Sequence, residues 1–107
     1  MLNFYYQLIL SGDVRPEVIK DFIAVESLIA GTDVTMAQHI VGNESHFNPL
    51  AIGDKNTSFG AWQIHLPAHQ DISREQAENI IWSTEWSINQ LKGGSCKIWS
   101  TCPINST

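Results

Sequence analysis

Apolar residues recur every three or four positions through most of this chain, which is the period of a helix with one buried face. Residues 3–10 are predicted to form a short helix that ends at Ser11-Gly12-Asp13. A second helix is expected to begin at Pro16, because proline suits the first helical position. It should end before Gly31, a typical helix stop. The first thirty residues therefore predict two helices.

A third helix is predicted over residues 34–44, with Thr32 or Asp33 as its N-cap. Ile40 and Glu44 lie four positions apart, so Glu44 is expected on or beside the apolar stripe of this helix. Burial there favours the protonated carboxyl that a general acid needs. A glutamate at a helix end can equally turn out to solvent, and the period alone leaves both interpretations open.

The period changes after Glu44. Turn signals at Asn48-Pro49 and Gly53-Asp54 predict a structured loop over residues 45–60. Residues 61–64 are a strand-like run, and Phe59, Trp62 and Ile64 around Gly60 predict a short strand or hairpin edge.

The last third of the chain returns to the helical period. Ser73 and Gln76 form a capping-box pattern, and Asn79 is a position at which the helical segment that follows would divide in two. Gly93-Gly94 should end the regular structure. The pattern predicts a mainly α fold of four to five helices with a short β-hairpin or strand after the third helix, in a single domain over residues 1–107.

Composition narrows the class of protein. Hydrophobic residues make up 43% and charged residues 16%, as in an ordinary globular domain. The formal net charge of −5 and the lack of a basic run argue against nucleic acid as a partner. The apolar segment at residues 1–10 is about half the length of a membrane span, and it lacks the basic start and cleavage site of a signal peptide.

Two cysteines, Cys96 and Cys102, lie six positions apart in a loop-like segment near the C-terminus. A metal site would need further soft ligands nearby, and the sequence has none there. We therefore predict a disulfide, which implies an oxidising compartment.

The histidines do not predict a metal site either. His65 and His69 are four apart, but Pro67 between them disfavours the helix that would direct both at one ion. His39 and His46 share no helical face. We expect no metal and no cofactor.

Two motifs stand close together in the middle of the chain, and both carry polar residues. They are Glu44-Ser45-x-Phe47-Asn48-Pro49-x-Ala51 and Ser58-Phe59-Gly60-x-Trp62-Gln63-Ile64, the second followed by Pro67. In combination they resemble the soluble lytic transglycosylases and their goose-type lysozyme relatives. The resemblance extends over about residues 16–92 and is best over residues 31–67.

This resemblance implies a lysozyme-like fold and cleavage of the β-1,4 bond between N-acetylmuramic acid and N-acetylglucosamine in peptidoglycan. It makes Glu44 the general acid and then the base, and it makes Ser58 and Gln63 substrate-binding residues. In a transglycosylase the muramyl C6 hydroxyl attacks C1 and leaves a 1,6-anhydro end, whereas water attacks in a hydrolase. We slightly favour the transglycosylase. The implied partner is the glycan strand, bound by a monomer outside the cytoplasm.

Three further residues are candidates for the substrate groove, each with a plainer alternative. Asp54 is the candidate second carboxylate that a water-activating glycosidase uses, or else a turn residue after Gly53. Trp62 stands where the family usually has Met, as a stacking surface for sugar or as a core residue. His65 either lines the groove or is simply exposed to solvent.

One departure from the family weakens the implied activity. The family's third motif, a Tyr-Asn-Ala-Gly segment whose Tyr approaches the catalytic Glu, has no counterpart after Leu91. Glu44 therefore lacks an expected orienting partner, and the choice between transglycosylase and hydrolase stays open. The alternative function is a catalytically weak or inactive domain that binds cell-wall glycan.

Overall fold

A computed structural model describes residues 1–103 of the 107-residue chain. Within these residues five α-helices surround a small three-stranded antiparallel sheet. The helices are α1 (Leu2–Leu10), α2 (Pro16–Ala30), α3 (Val34–Ser45), α4 (Arg74–Glu78) and α5 (Ile80–Lys92). The strands are β1 (Ile52–Gly53), β2 (Ser58–Phe59) and β3 (Ile64–His65). The predicted mainly helical fold is confirmed.

Local sequence signals explain where α2 and α3 begin and end. Gly31 ends α2 with a left-handed φ of 76°, which glycine adopts without a steric penalty. Asp33 then caps α3, because its Oδ1 accepts a hydrogen bond from the backbone N–H of Met36 at 3.0 Å. Of the two cap residues that the sequence allowed, the structure uses Asp33.

The division of the last helical segment at Asn79 is also confirmed. Ser73 and Gln76 form the predicted capping box at the start of α4. Asn79 then ends α4 and caps α5, since its side-chain oxygen accepts from the backbone N–H groups of Ile81 and Trp82.

The predicted short hairpin around Gly60 is confirmed, because β2 and β3 pair antiparallel with Phe59 opposite Ile64. Of the strand-like residues 61–64, only Ile64 lies in a strand. Gly60 and Gln63 have φ angles of 85° and 50°, so the chain turns between β2 and β3 instead of running straight. A Cβ at position 60 would collide with the backbone oxygen of Ala77 in α4. Glycine therefore allows this turn to pack directly against α4.

The core lies between α2, which packs against α1, α3 and α5, and the segment from β2 to β3. Trp62 is its largest fully buried side chain. Its ring centroid lies 5.4 Å from that of Trp99, which brings the C-terminal segment onto the same core. No helix among residues 1–103 has the length and apolar character needed to cross a membrane.

Candidate active-site groove

Glu44 lies in the last turn of α3, where the chain leaves the helix for the loop. His46 follows in a left-handed conformation and ends the helix. Ser45 fixes this end, because its buried hydroxyl donates to the backbone oxygen of Ala61 at 2.6 Å. Glu44 itself is half-buried. It is neither enclosed in the core nor turned fully to solvent, so its position lies between the two that the sequence allowed.

An open groove of about 480 Å³ runs beside Glu44, and we refer to it as the Glu44 groove. Its lining consists of Glu44, Asp54, Thr57, Gln63, His65, Ile98, Trp99 and Ser100. Four of the residues singled out from the sequence therefore meet in one place, namely Glu44, Asp54, Gln63 and His65. Two others, Ser58 and Trp62, do not line it.

Trp62 belongs to the core and not to a sugar-stacking surface. Its side chain is 0% exposed, and its indole N–H donates to the Thr84 hydroxyl at 3.0 Å. The aromatic residue at the groove is Trp99 instead, which is itself largely buried. A tryptophan at this position suits a core as well as a surface that stacks on sugar, so the sequence alone does not distinguish the two roles.

Ser58 lies behind the groove and is fully buried, so a direct contact with substrate is corrected to a supporting one. Its hydroxyl donates to Oδ2 of Asp54 at 2.5 Å. The side chain of Asp54 is 70% exposed. Ser58 thus fixes a carboxylate that remains accessible.

His65 lies beside Ser58 and Asp54, and the neighbouring hydroxyls indicate which of its ring nitrogens carries the hydrogen. Nδ1 of His65 lies 3.1 Å from the Ser58 oxygen and 3.3 Å from the Thr57 oxygen. Both hydroxyl hydrogens are already donated, one to the Asp54 carboxylate and the other to the Asp54 backbone oxygen. With both hydroxyls donating in this way, the tautomer of His65 that fits its neighbours carries its hydrogen on Nδ1 and leaves Nε2 as the acceptor.

Gln63 ties two turns of the groove wall together. Its side-chain amide donates to the backbone oxygens of Ala51 and Gly60, each at 2.9 Å. Its Oε1 occupies space next to Gly53, where a Cβ would collide with it. Gly53 thus leaves the space that this position of Gln63 needs. Both amide hydrogens of Gln63 are used in hydrogen bonds to the backbone.

The C-terminal segment forms the remaining wall, which sequence reasoning missed. The predicted disulfide between Cys96 and Cys102 is present, and we refer to residues 96–102 as the disulfide loop. Three of its residues line the groove, and the hydroxyl of a fourth, Thr101, donates to Oε2 of Glu44 at 2.7 Å. The available signal was the run Trp99-Ser100-Thr101 between the cysteines, since an aromatic ring beside two hydroxyls is common in sugar sites.

A second cavity, of about 510 Å³, lies on another face between α1 and the start of α5. Its lining is mainly aliphatic, with Glu78 and Glu85 among its polar residues. The Glu44 groove is the candidate functional site, because Glu44 and Gln63 of the two motifs meet the further candidates Asp54 and His65 there. Among residues 1–103 no group of three or more His, Cys, Asp or Glu side chains is arranged to hold a metal ion.

No protein-family model, curated protein or solved structure matches this chain. The features of this chain that bear on its function are therefore its two motifs and the geometry of the Glu44 groove.

Proposed function

We propose that this protein cleaves the β-1,4 bond between N-acetylmuramic acid and N-acetylglucosamine in peptidoglycan, with Glu44 as the general acid. The observation that carries the proposal is the convergence of Glu44, Asp54, Gln63 and His65 on one open groove. Its volume of about 480 Å³ is in the usual range for a site that binds a small molecule or a few sugar units. The motif resemblance supplies the substrate class.

The transglycosylase route uses one carboxyl group twice. Glu44 first donates its proton to the glycosidic oxygen, and the bond from that oxygen to muramyl C1 breaks. The Glu44 carboxylate then takes the proton of the muramyl C6 hydroxyl, whose oxygen bonds to C1. Glu44 is protonated again, and the product ends in a 1,6-anhydro ring.

For the hydrolytic route, Asp54 is the candidate for the carboxylate that activates water. This carboxylate lines the same groove, is exposed, and is held on one oxygen by Ser58. A carboxylate in such a position can activate water on the side of the sugar opposite the acid. Hydrolysis is therefore our second candidate for the reaction, slightly behind the transglycosylase.

The disulfide supports a place of action outside the cytoplasm, because disulfides persist in oxidising compartments. The proposed partner is a peptidoglycan glycan strand, bound by a monomer.

The test is digestion of purified peptidoglycan followed by mass analysis of the products. Anhydro-muramyl ends would identify a transglycosylase, and reducing ends a hydrolase. We expect Glu44→Gln to lower the rate about 10²- to 10⁴-fold, which is the usual contribution of a general acid. Its thermal unfolding should match that of the wild type. Undiminished lysis by a folded Glu44→Gln variant would refute the proposal.

Asp54→Asn separates the two routes. A severe loss of activity with reducing ends in the wild-type products would identify Asp54 as the base of a hydrolase. Activity close to that of the wild type is expected for the transglycosylase. Binding of peptidoglycan by the wild type with no product after long incubation would instead favour the glycan-binding domain without catalysis.

A further inference from the structure

The disulfide loop supplies Glu44 with a hydrogen-bond partner from 57 positions away in the sequence. The Thr101 hydroxyl donates to Oε2 of Glu44 at 2.7 Å, which is an ordinary length for a hydroxyl and a carboxylate oxygen. Both side chains are half-buried. This contact lies at the groove and joins its two walls.

The loop that carries Thr101 is held in place at both ends and near its middle. Cys96 and Cys102 are both buried. Between them Trp99 packs on Trp62 and donates its indole N–H to the Trp62 backbone oxygen at 2.8 Å. The backbone N–H of Cys102 donates to the Trp99 oxygen at 3.1 Å. Thr101 directly precedes the anchored Cys102 and lies two positions after the anchored Trp99, so its hydroxyl has little freedom to move away from Glu44.

This contact has a consequence for the chemistry of Glu44. A protonated carboxyl group carries its hydrogen on one oxygen and accepts hydrogen bonds on the other. Because Thr101 donates to Oε2, the proton that Glu44 delivers resides on Oε1. The contact also restrains the rotation of the carboxyl group, which matters because misplacing a reacting group by about 1 Å can cost about 100-fold in rate.

We propose that Thr101 is the positioning residue of Glu44, and that the Cys96–Cys102 disulfide keeps it in place. Activity at the groove then depends on the oxidised state of the loop. This inference rests on the proposed function, and it assigns to Thr101 the orienting role for which the sequence offers no tyrosine. Reduction by a dithiol breaks the S–S bond, leaves two thiols and oxidises the dithiol to its cyclic disulfide.

Three proteins test the role of Thr101, compared in digestion of purified peptidoglycan. Thr101→Ser keeps the hydroxyl and should stay within about twofold of the wild type, whereas Thr101→Val keeps the shape and should lose about 10- to 100-fold. The loss should fall on kcat while KM stays within about twofold, because Thr101 orients Glu44 and is not itself among the residues that line the groove. A residue that only supports the shape of the groove would raise KM as well.

Reduction with dithiothreitol tests the role of the disulfide. The wild type should lose activity by a factor close to that of Thr101→Val, while Thr101→Val itself should lose little more, because the two changes act through one contact. Tryptophan fluorescence should show that the reduced proteins stay folded.

The outcomes separate this inference from the proposed function. An active wild type whose Thr101→Val variant is equally active would overturn the inference alone. An equal loss on reduction in the wild type and in Thr101→Val would overturn the role of the disulfide. A wild type that gives no product at all would overturn both the function and the inference.

Discussion

Glu44 and Glu26 each accept a hydrogen bond from a hydroxyl that is distant in the sequence, and their surroundings differ. Glu44 accepts from Thr101 at the wall of an open groove. Glu26 in α2 accepts from Tyr6 in α1 at 3.1 Å and is only 9% exposed. Burial raises the pKa of Glu26, and the charge of Glu85 raises that pKa further, against the Tyr6 hydrogen bond that lowers it.

The comparison shows that a hydroxyl donor does not by itself mark a reactive carboxylate. At Glu26 the donor offsets part of the cost of burying a charged group. At Glu44 the same kind of contact restrains a group that a ligand can still reach. Access to the groove, and not the hydrogen bond, therefore distinguishes the candidate acid from the structural one.

The largest expected contrast lies in the activities of two isosteric variants. Under the proposed function, Glu44→Gln should lower the rate of peptidoglycan cleavage about 10²- to 10⁴-fold, whereas Glu26→Gln should leave it within about twofold, because Glu44 lines the open groove and Glu26 does not. Both rates are measured on purified peptidoglycan with folded protein. A comparable loss in Glu26→Gln would mean that the two carboxylates do not divide into a reactive and a structural one.

Loss of the hydrogen bond from Tyr6 to Glu26 should lower the stability of the fold. Tyr6→Phe removes the donor and leaves the buried carboxylate without it, which should cost about 1–3 kcal/mol in the free energy of unfolding. Urea unfolding measures this loss. Tyr5→Phe, at the neighbouring position of α1, is the matched control and should cost less. Equal midpoints for the two variants would show that the Tyr6 hydroxyl contributes little.

The fold was largely accessible from the sequence because its signals are local. The Asp33 cap, the Gly31 stop and the division at Asn79 each depend on a few consecutive residues, and the structure has all of them. The hairpin around Gly60 is also present, but residues 61–63 form its turn and not a strand, because the left-handed conformation at Gly60 goes with close packing against α4. Periodicity does not report a contact between segments that are distant in sequence.

The candidate site was accessible only in part, for the same physical reason. The motifs located Glu44 and the facing loop, which are close in sequence. Thr101 lies 57 positions from Glu44, and the fold alone brings the two together. Ser58 and Trp62 have side chains that suit both a sugar site and a core, so only their burial shows that they support the groove from behind.

The free energy of unfolding should also depend on pH through Glu26. The folded-state pKa of Glu26 is raised above its ordinary value of 4.5, so the folded protein binds the proton more tightly than the unfolded chain. This contribution to stability is fully present below that ordinary value and is lost as the pH rises through the folded-state pKa. The free energy of unfolding of the wild type, relative to Glu26→Gln, should therefore fall over that window and then level off.

Urea unfolding of both proteins at a series of pH values checks this. Tyr6 has its pKa raised to about 12, mainly by burial, so its titration lies well above the window. A relative stability that rises with pH would contradict the assignment of Glu26 as the carboxylate that burial penalises.

The smallest expected effect comes from Glu85, an exposed residue of α5 whose carboxylate lies 3.3 Å from the Tyr6 hydroxyl. Its negative charge opposes the ionisation of Glu26. Glu85→Gln removes that charge but keeps an acceptor for Tyr6, so it should stabilise the protein by about 0.2–0.5 kcal/mol at low salt. The gain should shrink in 1 M salt, where the screening length falls to about 3 Å.

In the Glu26→Gln background the same change should give no gain, because the two charges act on each other. A gain that persists in both the high-salt and the Glu26→Gln measurements would mean that Glu85 acts on stability through something other than the charge of Glu26.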